Sequence, residues 1–274
     1  MKIQLPNISL VIDEILPIKS VYDGTEKSIG DWVIDHRHYI EKNKALLNCQ
    51  SEINDLNILT ILFVNLLMRS VKGETGARLE KAFKKQIRSK ADLNETLFKK
   101  VLNTTHYRWK NDGVQVMKNI VEYFENTNWN WINYFKMAEK FSNDNFIQDD
   151  LLKIKNIKYK VRDLAISNFS ENYIANDLHI VRVSTRLGLL NYGFDLISDS
   201  NIEMGNNPNN EKNYLFLHKL FLKLSRMTNG SYSLADIDRV FWHFGRTICN
   251  SKPHCSKCPI NKICLTGQST NYGV

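Results

Sequence analysis

Four cysteines crowd into CNSKPHCSKCPINKIC, residues 249 to 264, with the spacing C-x5-C-x2-C-x5-C. This segment is too small and polar to fold by itself, and metal coordination would close it. Zinc sites usually pair two short C-x2-4-C knuckles. Here a single C-x2-C is flanked by two longer loops, a pattern that suits a [4Fe-4S] cluster held by Cys249, Cys255, Cys258 and Cys264, with zinc as the alternative.

The other expectations about partner and compartment come from composition. Lys and Arg number 37 against 29 Asp and Glu, a formal charge of +8 that favours a polyanion such as nucleic acid, although solubility alone also explains it. No run of about 18 apolar residues exists, and the start, MKIQLPNISLVIDEILP, carries acids inside its apolar stretch. The expectation is an intracellular, cytoplasmic and nucleoid-associated protein with no membrane partner. A reducing compartment disfavours disulfides and so favours metal for the clustered thiols. Cys49, alone, is expected to be a buried small hydrophobe.

Apolar spacing predicts an all-α chain. LNILTILFVNLLMR (56 to 69) is apolar nearly all round and reads as a buried helix, whereas ARLEKAFKKQIRSK (77 to 90) places Leu79, Phe83 and Ile87 on one face and most of its lysines elsewhere. Asp92 is the expected cap of the next helix. GVQVMKNIVEYFEN and NWINYFKMAEKF follow with similar spacing. Residues 149 to 169 read as two short helices joined tightly near Asn156, and a helix through DLHIVRVSTRLGLL comes next. GNNPNNEKN (205 to 213) is the clear loop signal, before the apolar helix YLFLHKLFLKLSRM. In SLADIDRVFWHFGRTI, Ser233 and Asp236 form a variant capping box. No sustained strand pattern stands out.

The run HFGRTICNSKPHCSKCPINKIC resembles the cluster loop of endonuclease III-like DNA glycosylases, the helix-hairpin-helix superfamily. It shares Gly245, Arg246 and Cys249, then Lys252, Pro253 and Cys255, with a first cysteine interval one residue shorter than the family's. Two upstream stretches match the family's hairpin and its catalytic aspartate: IKNIKYKVR (154 to 162) and NDLHIVRV (176 to 183). The resemblance places Lys160 on the lyase lysine and Asp177 on the aspartate, with His179 and Arg182 following. Asn156 and Lys158 replace both hairpin glycines, which serve a positive φ and close approach to a DNA phosphate. Asn tolerates the left-handed conformation, so position 156 is expected to keep the turn. Leu178 replaces the family's Thr.

What the resemblance implies is a two-lobed, all-α DNA glycosylase: residues 52 to 160 as a helical barrel domain ending in the hairpin, and 1 to 51 with 161 to 274 as a second helical domain carrying the [4Fe-4S] loop. The chain would be a monomer acting on double-stranded DNA that contains a damaged or modified base, with oxidised pyrimidine as the family's default. Asn156, Lys158, Lys252, His254 and Lys257 would meet phosphates. Arg108 and Lys110 lie in a segment (104 to 124) resembling one with a Tyr and basic residues before a helix. LLMRSVKGETG (66 to 76) occupies the place of the loop that fills the hole left by a flipped base, with Arg69 or Ser70 in place of the family's Gln. Lys160 would form a Schiff base and give AP-lyase cleavage. A monofunctional glycosylase in which Asp177 activates water, or a non-catalytic iron-sulfur DNA-binding protein, are the alternatives. Asp177 also stands where an N-cap is expected, and His179 is expected to pack or hydrogen-bond structurally.

Overall fold

The computed structural model describes residues 6–69, 71, 73–143, 150–189 and 211–271. It is all-α apart from one two-stranded hairpin among the described residues. Two compact units are formed, one by residues 38–173 and the other by 1–37 with 174–274. The boundaries therefore fall at 37/38 and 173/174, where the sequence reading placed them at 51/52 and 160/161.

The 38–173 unit holds the end of α2 (Ile29–Leu46), then α3 (Glu52–Leu66), α4 (Gly73–Gln86), α5 (Glu95–Thr104), α6 (Lys110–Asn126), α7 (Trp131–Asn143), α8 (Asp150–Lys153) and α9 (Tyr159–Ile166). Helix α3 is its axis. Ser51 caps it by accepting the Asn54 N–H at 3.2 Å, and Ile58, Leu59, Leu62 and Phe63 are all buried, so its apolar circumference contacts several neighbours, α4 and α9 among them. This packing keeps α9 in the same unit as α3. Each such side chain contributes roughly 1.5–3 kcal/mol when fully buried. Buried Asp55 is matched by the Trp131 indole N–H at 2.8 Å and Lys90 Nζ at 2.5 Å, so its charge is not stranded.

Two local expectations are corrected. Asn94, not Asp92, caps α5, accepting the Leu97 N–H at 3.1 Å. Asp92 instead closes a one-turn 3-10 helix (Lys90–Asp92), accepting the Arg88 and Ser89 N–H groups at 2.8 and 2.9 Å. Cys49 is exposed between α2 and α3 rather than buried, because that connection lies on the surface.

The other unit holds α1 (Ile8–Ile15), β1 (Lys19–Tyr22), β2 (Thr25–Ser28), the start of α2, α10 (Leu178–Leu187), α11 (Glu211–Met227), α12 (Leu234–Arg246) and α13 (Leu265–Asn271). The antiparallel strands pair Lys19 with Ser28 and Tyr22 with Thr25 around Asp23 (φ 48°) and Gly24 (φ 74°), the left-handed pair that a two-residue turn of this hand needs. Ile8, Val11, Ile12 and Ile15 pack with Phe241 and Phe244 in one core. The Ser233–Asp236 capping box forms as expected, and Arg37 clamps its carboxylate at 2.8 and 2.9 Å. Most of the expected loop, 205–210, lies outside the described residues, and helix begins at Glu211.

Candidate active site and cysteine loop

The connection between α8 and α9 is held by Ile154, Ile157 and Val161, all buried. Between them Asn156 adopts φ 74°, the left-handed conformation that a glycine would otherwise supply. Lys158 is extended (φ −123°, ψ 169°), a conformation open to any residue, and stands as the N-cap of α9 without a side-chain cap bond. An uncapped helix start presents backbone N–H groups to an outside anion. Lys155 and Lys158 are exposed there, and Lys160 is half-buried in the first turn. Arg162 points the other way: it is 1 % exposed, paired with Asp163 at 2.5 Å, with the Tyr159 and Tyr173 rings each 5.7 Å from the guanidinium. This ion pair anchors α9, and nothing in a run of mixed charge and apolar residues singled it out.

Asp177 belongs to the other unit. It is extended (φ −100°, ψ −179°) and caps α10, its Oδ1 accepting the His179 and Ile180 N–H groups at 2.8 and 3.1 Å. Its Oδ2 takes no hydrogen bond among the described residues. The two residues before it are buried and pinned: the Ala175 N–H donates to Asp238 Oδ2 at 2.8 Å, and the Asn176 N–H to the Tyr214 hydroxyl at 3.3 Å. Asp238 and Tyr214 are positioning residues that local reading missed, since each acts across long sequence separation. His179 is structural, as expected. Its Nδ1 donates to the Gly245 carbonyl at 3.1 Å, which Arg182 also approaches at 3.4 Å. Gly245 permits this closeness, because a Cβ there would lie 3.0 Å from the His179 Cβ and 3.2 Å from Val183 Cγ2. Arg246 stacks over Trp242 at 4.3 Å.

The four clustered cysteines line one small cavity together with Arg186 and the apolar side chains of Val183, Leu187, Phe244 and Ile260. Arg186 braces the loop, donating to the Cys249 and Asn250 carbonyls at 3.1 and 2.5 Å, while the Cys264 thiol donates to the Arg186 carbonyl at 3.1 Å. Burial pushes the Cys249 and Cys264 thiols up and the Cys258 thiol up to about 11. Among the described residues no three His, Cys, Asp or Glu side chains converge closely enough to share one metal ion. Lys252, His254 and Lys257 are exposed on this loop.

The remaining candidates surround Trp109, in the 38–173 unit. Arg69 and Arg108 lie 5.2 and 4.6 Å from its ring, and Arg69 pairs with Asp112 at 3.4 Å. Its indole N–H is buried without a partner among the described residues, and Lys110 is exposed. Ser70 lies outside the described residues. Trp129 and Trp131 are buried in the core.

No protein-family model and no curated protein sequence matches the chain. Solved structures do. The 8-oxoguanine DNA glycosylase of Methanocaldococcus jannaschii is 19% identical over 80% of this chain and 88% of its own, with a TM-score of 0.52. Endonuclease III in a non-covalent DNA complex is 15% identical over 88% and 98%, with a TM-score of 0.52. A thermostable thymine-DNA glycosylase is 14% identical over 86% and 98%, with a TM-score of 0.50. The chain has the fold of the helix-hairpin-helix DNA glycosylases.

The chain carries a built-in acid sensitivity. His243 is 3 % exposed, stacked on Trp32 with centroids 5.4 Å apart, and hydrogen-bonded to Ser20 Oγ at 2.9 Å. Burial, then Arg239 and Arg246, lowers its pKa to about 3. Burial also holds His36 well below the usual range. An unfolded chain takes protons near pH 6.5 that the folded one refuses, so this stability is full above about 6.5 and drains as pH falls toward about 3, by a few kcal/mol, roughly. We expect Tm to fall between about pH 7 and 5, and a His243→Gln variant to show a shallower fall; thermal unfolding against pH checks it.

Proposed function

We propose that this protein is a DNA repair glycosylase that flips a damaged or modified base from double-stranded DNA, cleaves its N-glycosidic bond and, through Lys160, nicks the strand. The observation that carries this reading is the hairpin, which keeps its left-handed turn through Asn156 and sets Lys160 in the first turn of an uncapped helix. The activities of the glycosylases that share the fold support it. Among the described residues no helix is long and apolar enough to cross a membrane.

Extruding a base from the stack costs a few kcal/mol, roughly, which phosphate contacts must offset. The uncapped α9 start with Lys155 and Lys158, and the exposed Lys252, His254 and Lys257, provide them. Arg69 or Ser70 takes the position of the residue that fills the vacated stack. As the N-glycosidic bond lengthens, positive charge builds on the sugar, and the unoccupied Oδ2 of Asp177 stabilises it. The neutral Lys160 amine attacks C1′, the C1′–N bond breaks, and its electron pair leaves with the base, which takes up a proton. The sugar ring opens to a C1′=Nζ Schiff base, and loss of a C2′ proton then expels the 3′ phosphate. Asp238 and Tyr214, by holding the Ala175 and Asn176 N–H groups, fix the backbone that leads into Asp177, and the His179 and Ile180 N–H groups orient its carboxylate.

Cys249, Cys255, Cys258 and Cys264 fit a [4Fe-4S] cluster. All four thiols border one shared cavity, and the single C-x2-C flanked by two longer loops suits a cluster better than the paired short knuckles of zinc sites. Four thiolate ligands would leave such a cluster no open iron, so what it would supply when bound is closure of the loop that presents the basic residues. The purified protein is expected to be brown with broad visible absorption; a colourless preparation with stoichiometric zinc refutes the cluster.

Borohydride trapping on abasic and lesion-bearing duplexes tests the mechanism. A covalent protein–DNA adduct supports the lyase reading. Release of free base without an adduct points to water activated by Asp177, and neither product leaves a DNA-binding protein only.

A further inference from the structure

We infer that the groove between α4 and α5 is a second phosphodiester-binding site, separate from the hairpin and taking the backbone of nucleic acid. Arg78, Lys81 and Lys85 line it from α4 and Lys100 from α5, and no acidic side chain does. The sorting of charge on these helices is what distinguishes the groove from an ordinary lysine-rich surface. The lysines that face elsewhere are matched: Lys84 with Glu80, Lys99 with Glu95 at 2.6 Å and Lys118 with Glu95 at 2.7 Å. None of the four groove cations is paired with a carboxylate among the described residues; Arg78 donates only to the Thr75 hydroxyl, at 3.2 Å. Four like charges gathered without a counter-ion repel one another, and a bound polyanion relieves that.

The size of the ligand follows from the spacing. Arg78, Lys81 and Lys85 recur at three- and four-residue intervals on one face of α4, so they run along about 10 Å of helix. The groove encloses about 700 Å³, far more than one phosphate needs. Its floor includes Ala82 and Leu97, apolar surface on which a sugar can rest. A chain of phosphates joined by sugars matches a row of cations over such a floor. None of residues 154–160 lines the groove.

The inference takes nucleic acid as the ligand in keeping with the proposed function, but it is measured by binding rather than by catalysis. All four cations are exposed, and Gln is close to Lys and Arg in helix propensity, so the combined variant R78Q/K81Q/K85Q/K100Q should fold; unchanged Tm verifies that. The probe is an undamaged duplex of about 20 base pairs, titrated at several salt concentrations. Each phosphate contact contributes about 0.9 to the slope of log affinity against log salt, so the variant, lacking four cations, should lose up to about 3.6 from that slope and bind at least tenfold more weakly, roughly, at 0.1 M salt. Sedimentation tells the two sources of phosphate apart. A wild-type complex with two duplexes, reduced to one in the variant, marks a second DNA segment; a single duplex in both marks the flank of the first. An unchanged slope, affinity and stoichiometry overturns the groove site, and so does a wild-type protein that binds no duplex. On an abasic duplex at saturation the borohydride adduct should be equal in both proteins, since Lys160 is intact. Its loss from both, together with no release of free base from lesion-bearing duplexes, tells against the glycosylase reading and leaves the binding result to decide the groove.

Discussion

Asp177→Asn should slow base release on the order of 10²–10³-fold while leaving thermal stability nearly unchanged. The two expectations separate because Asp177 uses its two oxygens differently. Oδ1 caps α10 by accepting the His179 and Ile180 N–H groups, and an Asn side-chain oxygen performs that task about as well. Oδ2, without a hydrogen bond among the described residues, is assigned to the charge that grows on the sugar, and an amide has no negative charge to offer. Asp177→Ala removes both, so it should show the same loss of rate and an additional stability loss of about 1 kcal/mol. Single-turnover base release and thermal unfolding, run on both variants, decide the matter. An Asn variant with full activity would show that Asp177 is only a cap.

Lys160→Ala should abolish the borohydride adduct altogether, because no other amine is assigned to C1′. The residue lies in the first turn of α9, where alanine is an excellent helix former, and it is not part of the buried Arg162–Asp163 pair that anchors the helix. Folding should therefore survive. Lys160→Arg keeps the positive charge near the phosphates but cannot act as a neutral amine at ordinary pH, so it should preserve DNA affinity and still give no adduct. An adduct that persists in both variants would move the nucleophile elsewhere; release of free base by both, at the wild-type rate, would leave Lys160 a phosphate ligand.

Much of this architecture was legible residue by residue. The period of apolar residues located the helices, because one face must be buried whatever the partner is. Ser233 and Asp236 disclosed a capping box, and Asn156 its left-handed turn, since both depend on atoms within three residues. The β1–β2 hairpin was missed although its signal was present: Asp23–Gly24 is a strong turn pair, but the flanking strands are four residues each and mostly exposed, so they show no alternation. Asp92 and Asn94 are both good caps, and only the intervening 3-10 turn decided which one begins α5.

Locally encoded features were thus determined by the sequence itself: the all-α composition, the hairpin turn, the cap before α10 and the cysteine spacing. Tertiary structure alone decided which distant groups meet. Asp238 holds the Ala175 N–H from 63 residues away, and Arg186 reaches the Cys249 carbonyl across the same distance. The α4 lysines showed as a charged face in the sequence, and the Lys84–Glu80 pair is local to α4, but only the packing of α5 beside α4 brought Lys100 to the same groove as Arg78, Lys81 and Lys85. The physical reason is range: dihedral preference and capping act within a turn or two of chain, whereas the partner of a buried charge or an exposed cation is chosen by how elements pack.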